Sequence, residues 1–360
     1  MPRNLIDTND LPTEELERLL QLVGLLKVAD RRRALPRLLD RRSLAMIFEE
    51  PSTRTRVSFE VAMTKLGGHA LYLKPGEIHL GERESLADTA RVLARMCDAI
   101  MARTLRHDTV LELATHSTVP VINGLTDYNH PTQAICDLFT MSEHLTPGKE
   151  LADATVVFVG DRTNVCSSTM HATTKMGMDF VHAAPPGYQA PHEWIVPAEQ
   201  NIAAAGRGSV TVTDDVEDAV AAADFVYADL WWWIDQENEV EERKGAFMPR
   251  YQVNEDLMAK APPHARFMHC LPASRGVEVT DAVLDGSTSI AFDQAENRLH
   301  AEKGILVWAM RPEQQAAATG IEAEYAEHIE HFLTRTGIEH PRLKSRGAEL
   351  AHLAEPGVRS

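Results

Sequence analysis

The sequence predicts an α/β protein built from two doubly wound parallel-sheet domains. Three observations lead there. Short apolar runs alternate with helical stretches of roughly 10–15 residues, the pattern of parallel βαβ units. The alternation breaks at Thr146-Pro147-Gly148-Lys149 and restarts at Ala154. The length, 360 residues, leaves room for two separate cores.

In the first half, Ser43–Phe48 reads as a buried strand and Thr55–Leu66 as a helix closed by Gly67-Gly68. His69–Leu73 is the next strand, and Ser85–Cys97 is helical. Ala99–Ala102 is a strand ending at Arg103, Val119–Asn123 is another, and Thr132–Leu145 is a helix. The second half opens on the strand Ala154–Val159, followed by Gly160-Asp161 and a helix around Ser167–Met176. Phe180–Ala183, Ser209–Thr213, Phe225–Ala228, Arg266–His269 and Ser289–Phe292 are the later strands. Ile321, Tyr325, Ile329 and Phe332 recur at helical spacing. No internal repeat is visible.

Composition narrows the function. Apolar residues make up 44% and charged residues 25%, as in an ordinary soluble globular protein. A net charge of −17 argues against nonspecific binding to nucleic acid or an anionic membrane. It leaves room for a local basic pocket, and an acidic field attracts cationic substrates. Cys97, Cys136, Cys166 and Cys270 have neither CxxC spacing nor a Cys/His metal pattern. A reduced cytoplasmic setting is expected. Met1-Pro2-Arg3-Asn4 lacks the apolar stretch of a signal peptide, and runs such as Leu230–Ile234 are far too short to span a bilayer.

The stretch richest in chemistry is Ser52-Thr53-Arg54-Thr55-Arg56, directly after Pro51. A Pro followed by Ser/Thr marks a helix start. Such an end offers free N–H groups and the positive end of the helix dipole. Arg54 and Arg56 add bidentate donors for phosphate oxygens. Without further context, a solvated, capped helix end explains the cluster as well.

Three more motifs follow: His130-Pro131-Thr132-Gln133 with Asp137, His269-Cys270-Leu271-Pro272-Ala273, and Glu296-Asn297-Arg298-Leu299. With Ser-Thr-Arg-Thr-Arg and in this order, they resemble the aspartate/ornithine carbamoyltransferase superfamily, over roughly the first 310 residues. The His-Cys-Leu-Pro block is similar to the ornithine/putrescine branch. The resemblance implies two domains joined by interdomain helices, with one cleft at the carboxyl ends of the strands. It implies residues 1–148 for carbamoyl phosphate, 149–310 for the amine acceptor, and 311–335 as a helix returning to the first domain. Residues 336–360 are polar, and are expected to be poorly ordered or an arm touching a neighbouring subunit.

By resemblance, Ser52, Thr53, Arg54 and Thr55 hold the phosphate of carbamoyl phosphate, and Arg103 bridges phosphate and carbonyl oxygen. His130 donates to that oxygen, Gln133 holds the carbamoyl NH₂, and Arg298 completes the site. His79 stands in a loop that reaches the neighbouring subunit's site, where the family often has Gln. Cys270 and the Leu271 carbonyl orient the amines; the family's attack is direct, without a covalent enzyme intermediate. The competing readings are plain: a surface ion pair for Arg103, a helix cap for His130, a buried apolar thiol or an activated nucleophile for Cys270. No metal or organic cofactor is implied.

The resemblance implies an amine as the acceptor. Ornithine enzymes of the family carry Asp-x-Trp-x-Ser-Met-Gly where this chain reads Asp229-Leu230-Trp231-Trp232-Trp233-Ile234-Asp235. Trp233, Ile234 and Asp235 thus depart from the ornithine pattern, while Asn164 stands where those enzymes grip the α-carboxylate. Core packing is the alternative for the tryptophans. Asp127-Tyr128-Asn129 before His130, and Tyr251-Gln252-Val253-Asn254, resemble putrescine carbamoyltransferases. Asp229 and Asp235 would hold the distal ammonium. The resulting expectation is a cytoplasmic homotrimer, or multiple of trimers, that carbamoylates putrescine. Ornithine is the alternative acceptor, and a non-catalytic binder of phosphate ligands is a third reading.

Overall fold

The computed structural model of the chain describes residues 2–76, 83–310 and 321–335. The first sheet comprises β1 (Ser43–Phe48), β2 (His69–Leu73), β3 (Ala99–Arg103) and β4 (Val121–Leu125), in spatial order β2-β1-β3-β4. The second comprises β5 (Thr155–Val159), β6 (Asp179–Ala183), β7 (Ser209–Thr213), β8 (Phe225–Ala228) and β9 (Arg266–His269), in order β7-β6-β5-β8-β9. Every pairing between these strands is parallel. The expected α/β class of two parallel sheets is what forms. β1, with sequence Ser-Leu-Ala-Met-Ile-Phe, is covered on both faces, which is why it reads as a continuous apolar run. β2 and β7 are edge strands, and their alternating sequences leave one face half-exposed.

The connecting helices are α1 (Thr13–Arg31), α2 (Thr53–Lys65), α3 (Leu86–Met96), α4 (His107–His116), α5 (Pro131–His144), α6 (Asn164–Lys175) and α7 (His192–Ala205). Then come α8 (Val216–Val220), α9 (Val240–Phe247), α10 (Glu255–Met258), α11 (Asp281–Leu284), α12 (Ala291–Met310) and α13 (Ile321–Arg335). In the first sheet the chain reverses direction between β1 and β3, and in the second between β5 and β8. Loops splay apart at such points and open a crevice beyond the carboxyl ends of the strands.

α5 and α12 tie the two halves together. α12 packs on α1, α2, α5 and the end of β9. One apolar core runs from Leu44 and Met46 of the first sheet through Ile135 and Leu138 of α5 to Phe158 and Tyr227 of the second, with Ile305 and Leu306 of α12 inside it. α13 returns to α1, where Tyr325 packs with Ala29 and Ala34. α1, which no motif marked, buries Leu16, Leu19, Leu22, Val23 and Leu26.

One element differs from expectation. Ser289–Phe292 is not a strand: a single bridge joins Ser289 to Phe267, and α12 begins at Ala291. The run Ser-Ile-Ala-Phe is too short for its period to separate strand from buried helix start. The Glu296–Leu299 motif therefore lies within a helix rather than after a strand.

Candidate active site

The anion end of the crevice is built by β1, β3 and α2. Ser52 caps α2, its hydroxyl accepting from the Thr55 N–H at 3.4 Å. The first turn of α2 thus points its N–H groups beyond β1, with Thr55 buried and Thr53 on the rim. Arg54 follows in that turn, and Arg103 ends β3, where its Nη1 reaches the Thr55 hydroxyl at 3.4 Å. Burial lowers the pKa of Arg54, helped by the charge of Arg298. Burial likewise brings Arg103 down to about 10, and the positive charges of Arg298 and Arg54 add to it. Among the described residues no carboxylate pairs with Arg54 or Arg103, and the buried Nε of Arg103 has no hydrogen-bond partner. Arg103 is therefore not part of a surface ion pair. Arg56 is turned away, bonded to Glu60 at 3.2 Å and stacked over the Tyr72 ring. Residues two apart on a helix do not share a face, so only one of the two arginines serves the crevice.

The middle of the site comes from the start of α5. His130 occupies the cap position, followed by Pro131, yet its side chain makes no capping bond. Its backbone N–H donates to Ser168 at 2.7 Å. Burial pushes its pKa well below the ordinary value, and the charges of Arg298, Arg103 and Arg54 push further. His130 is thus a neutral imidazole, able to donate from one nitrogen without carrying charge. Gln133 Oε1 accepts from Arg298 Nη1 at 2.6 Å, and Gln133 Nε2 donates to Asp137 at 2.7 Å. Arg298 reaches the site from α12 with its other nitrogens on Glu302. Burial disfavours the Arg298 charge, but Glu302 outweighs it and keeps the guanidinium firmly protonated. Beside this pair, a cleft of about 270 Å³ between α2 and α12 is lined by Arg54, Val57, Ser58, Arg298 and Leu299.

The far end is carried by β8, β9 and α6. Asp229 follows β8 and accepts from Thr163 Oγ1 at 2.7 Å, Leu230 N at 2.8 Å and Cys270 Sγ at 3.1 Å. The thiol donates to a carboxylate, and burial, followed by the charge of Asp229, raises its pKa well above the ordinary value. The raised pKa and the bond to Asp229 favour the protonated thiol, which argues against the activated-nucleophile reading. Leu271 turns the chain after it, at a φ of 58°, with its N–H bonded to His269 Nδ1 at 2.9 Å. Asn164 opens α6, and its Nδ2 donates to the Thr126 carbonyl at 2.5 Å. A carbonyl only accepts, so the amide orientation is fixed and a buried, unpartnered Oδ1 is left over. The donor end of Asn164 is therefore engaged, and its acceptor end is the unpartnered one.

The tryptophan run divides. Trp231 is core, stacked on Phe247 with ring centroids 4.9 Å apart. Trp233 is half-buried at the start of a 3-10 segment that holds Ile234 and Asp235; the side chains of these two lie outside the described residues. His79 and residues 336–360 also lie outside the described residues. Sequence motifs pointed to none of Gln294, Tyr227 and Glu302, buried residues that brace the site from behind.

The arrangement can hold a small dianion by one end and polarise a carbonyl at the other, next to the buried carboxylate of Asp229. Comparison with known proteins accords with that chemistry. Residues 3–143 match the family described as aspartate/ornithine carbamoyltransferase, carbamoyl-P binding domain, and residues 152–309 match its Asp/Orn binding domain. The chain is 58% identical over 338 residues to a putrescine carbamoyltransferase of Mycoplasma capricolum, covering 92% of both chains. It is 49% identical to an anabolic ornithine carbamoyltransferase of Pyrococcus furiosus, covering 86% of this chain and 96% of that one. The solved structure of an ornithine carbamoyltransferase from Pyrococcus furiosus superposes with a TM-score of 0.83 at 48% identity, covering 87% of this chain and 98% of that chain.

Proposed function

The chain belongs to the aspartate/ornithine carbamoyltransferase family, and from that membership we propose that it carries the carbamoyl group of carbamoyl phosphate to one amine of putrescine. The products are N-carbamoylputrescine and phosphate. The observation that carries the reading is the convergence of Arg54, Arg103 and Arg298 on the neutral His130, without a carboxylate on the first two. We assign residues 1–148 to carbamoyl phosphate and 149–310 to the amine.

In this reading the phosphate sits on the first turn of α2, against Ser52, Thr53, Arg54 and Thr55. The carbonyl oxygen faces Arg103 and His130. The carbamoyl NH₂ donates to Gln133 Oε1, beside Arg298. The amine nitrogen attacks the carbonyl carbon, the C–N bond forms, and the oxygen gathers charge that these donors stabilise by ~3–4 kcal/mol each. The C–O bond to phosphate then breaks, and the departing phosphate takes the amine's proton. A free alkylammonium titrates near ~10.4, so presenting the neutral amine at pH 7 costs roughly 4–5 kcal/mol. The guanidinium cluster offsets part of this by repelling the ammonium form. Cys270, held as a thiol on Asp229, orients the amine with the Leu271 carbonyl.

Putrescine rather than ornithine is supported by the orientation of Asn164. Its free atom is an oxygen, which suits an ammonium and repels an α-carboxylate. Asp229 lies close by, bonded to Thr163 directly before Asn164, and Trp233, Ile234 and Asp235 stand where ornithine enzymes have Ser-Met-Gly. We further propose a cytoplasmic homotrimer, with His79 entering a neighbour's site. Exposed Val57, Leu71, Val92 and Met96 on the first domain suit such a contact, and light scattering would read three times 40.0 kDa. The deciding assay compares kcat/KM for putrescine and ornithine with carbamoyl phosphate saturating. Putrescine is expected to exceed ornithine by at least a hundredfold. Faster turnover of ornithine would overturn the acceptor, and reaction of neither would overturn the transferase reading of this site.

A further inference from the structure

Behind the reacting groups lies a fully buried carboxylate, Asp137, that touches no substrate position. Its Oδ1 accepts from Gln133 Nε2 and from Gln294 Nε2, each at 2.7 Å, and its Oδ2 accepts from the Tyr227 hydroxyl at 2.8 Å. An ionised carboxylate only accepts hydrogen bonds. Both glutamine amides must therefore turn their NH₂ groups toward it and their oxygens away. The Gln133 oxygen then faces Arg298, and the Gln294 oxygen accepts the His269 N–H at 3.0 Å, one residue before Cys270.

We propose that Asp137 is the positioning residue that fixes which end of the Gln133 amide meets the substrate, and so makes the site select a carbamoyl over an acyl phosphate. An amide side chain is nearly symmetric in shape, and flipping it exchanges acceptor for donor. With the Gln133 oxygen forward, the site welcomes an NH₂ on the carbonyl carbon. With the nitrogen forward, it faces NH₂ with NH₂ and meets a methyl group no worse. Three donors gathered on one carboxylate, together with Arg298 on the other end of the amide, make the first orientation the stable one, because reversal sets the Gln133 oxygen against the Asp137 oxygen and its NH₂ against the guanidinium. Burial pulls the Asp137 pKa up to about 6 and the surrounding donors from Gln133, Gln294 and Tyr227 hold it down, so the group is ionised at neutral pH. Gln294 extends the same logic to β9, so one charge orients amides serving both ends of the site.

This rests on the reading of Gln133 as the partner of the carbamoyl NH₂, and the test separates the two. Calorimetry would measure binding of carbamoyl phosphate, acetyl phosphate (CH₃ in place of NH₂) and inorganic phosphate to the full chain. In Asp137→Ser the preference for carbamoyl over acetyl phosphate is expected to fall at least tenfold, with inorganic phosphate affinity kept within about threefold. Asp137→Asn should restore most of the preference, since its Oδ1 still accepts from both amides. Gln133→Leu should abolish the preference. If Gln133→Leu keeps it, the Gln133 reading fails. If Gln133→Leu loses it while Asp137→Ser keeps it, the role of Asp137 alone fails. Loss of inorganic phosphate binding in Asp137→Ser would make Asp137 merely structural and also overturn the proposal.

Discussion

Replacing Arg103 with Met removes one charge from the guanidinium cluster and keeps most of the side chain's apolar length. In the free protein that charge is held at a cost. Burial and two like charges bring its pKa down to about 10, a penalty on the order of 3 kcal/mol. Its one side-chain hydrogen bond among the described residues, to Thr55 at 3.4 Å, returns little. An unfolding entropy of roughly 2.1 cal/mol/K per residue over 360 residues gives ~0.75 kcal/mol per kelvin. Arg103→Met should therefore melt ~4 °C above the wild type in anion-free buffer. Adding inorganic phosphate at about 100 times its dissociation constant should raise the wild-type Tm by a similar amount, through ~2.7 kcal/mol of binding. The variant should respond far less, and its kcat should fall by roughly two to three orders of magnitude. Scanning calorimetry across a phosphate series, with turnover measured alongside, reads all three. A variant that melts below the wild type without anions, yet keeps the full phosphate response, would refute the claim that Arg103 is stored repulsion aimed at the substrate.

Two further outcomes are expected. Cys270→Ser should keep kcat within about tenfold, because a hydroxyl also donates to Asp229; a loss of ~10⁴, as on removing a true nucleophile, would restore covalent catalysis. The carboxyl of Asp137, raised from 3.8 to about 6, contributes stability below pH 4 that is lost as pH rises through about 6. Measured by denaturant titration, Asp137→Asn should therefore gain on the wild type by up to ~3 kcal/mol between pH 4 and 7. A pH-independent stability difference would contradict the assignment.

The strands were legible because central parallel strands are covered on both faces and leave uninterrupted apolar runs, as in β1 and β5. Arg54 stood out as part of a short polar motif at a strand end, while Arg103, His130 and Cys270 were marked by the family resemblance. The reach of Arg56 was not, since two arginines two residues apart look alike on paper and point apart on a helix. Nor was the end of the Asn164 amide left without a partner, which depends on the Thr126 carbonyl in another loop. Tyr227 and Gln294 were silent for a related reason. Their contacts with Asp137 span 90 and 157 residues, and nothing in the neighbouring sequence records them.

Gln294 and Arg298 stand one turn apart on α12, the first bonded to the His269 backbone and the second to Gln133. The helix works as a common axle: any repacking that rolls it disturbs both grips together. Engineering toward a new amine should therefore leave that helix alone and vary the stretch between β8 and α9, where the recess can be reshaped without loosening the hold on the anhydride.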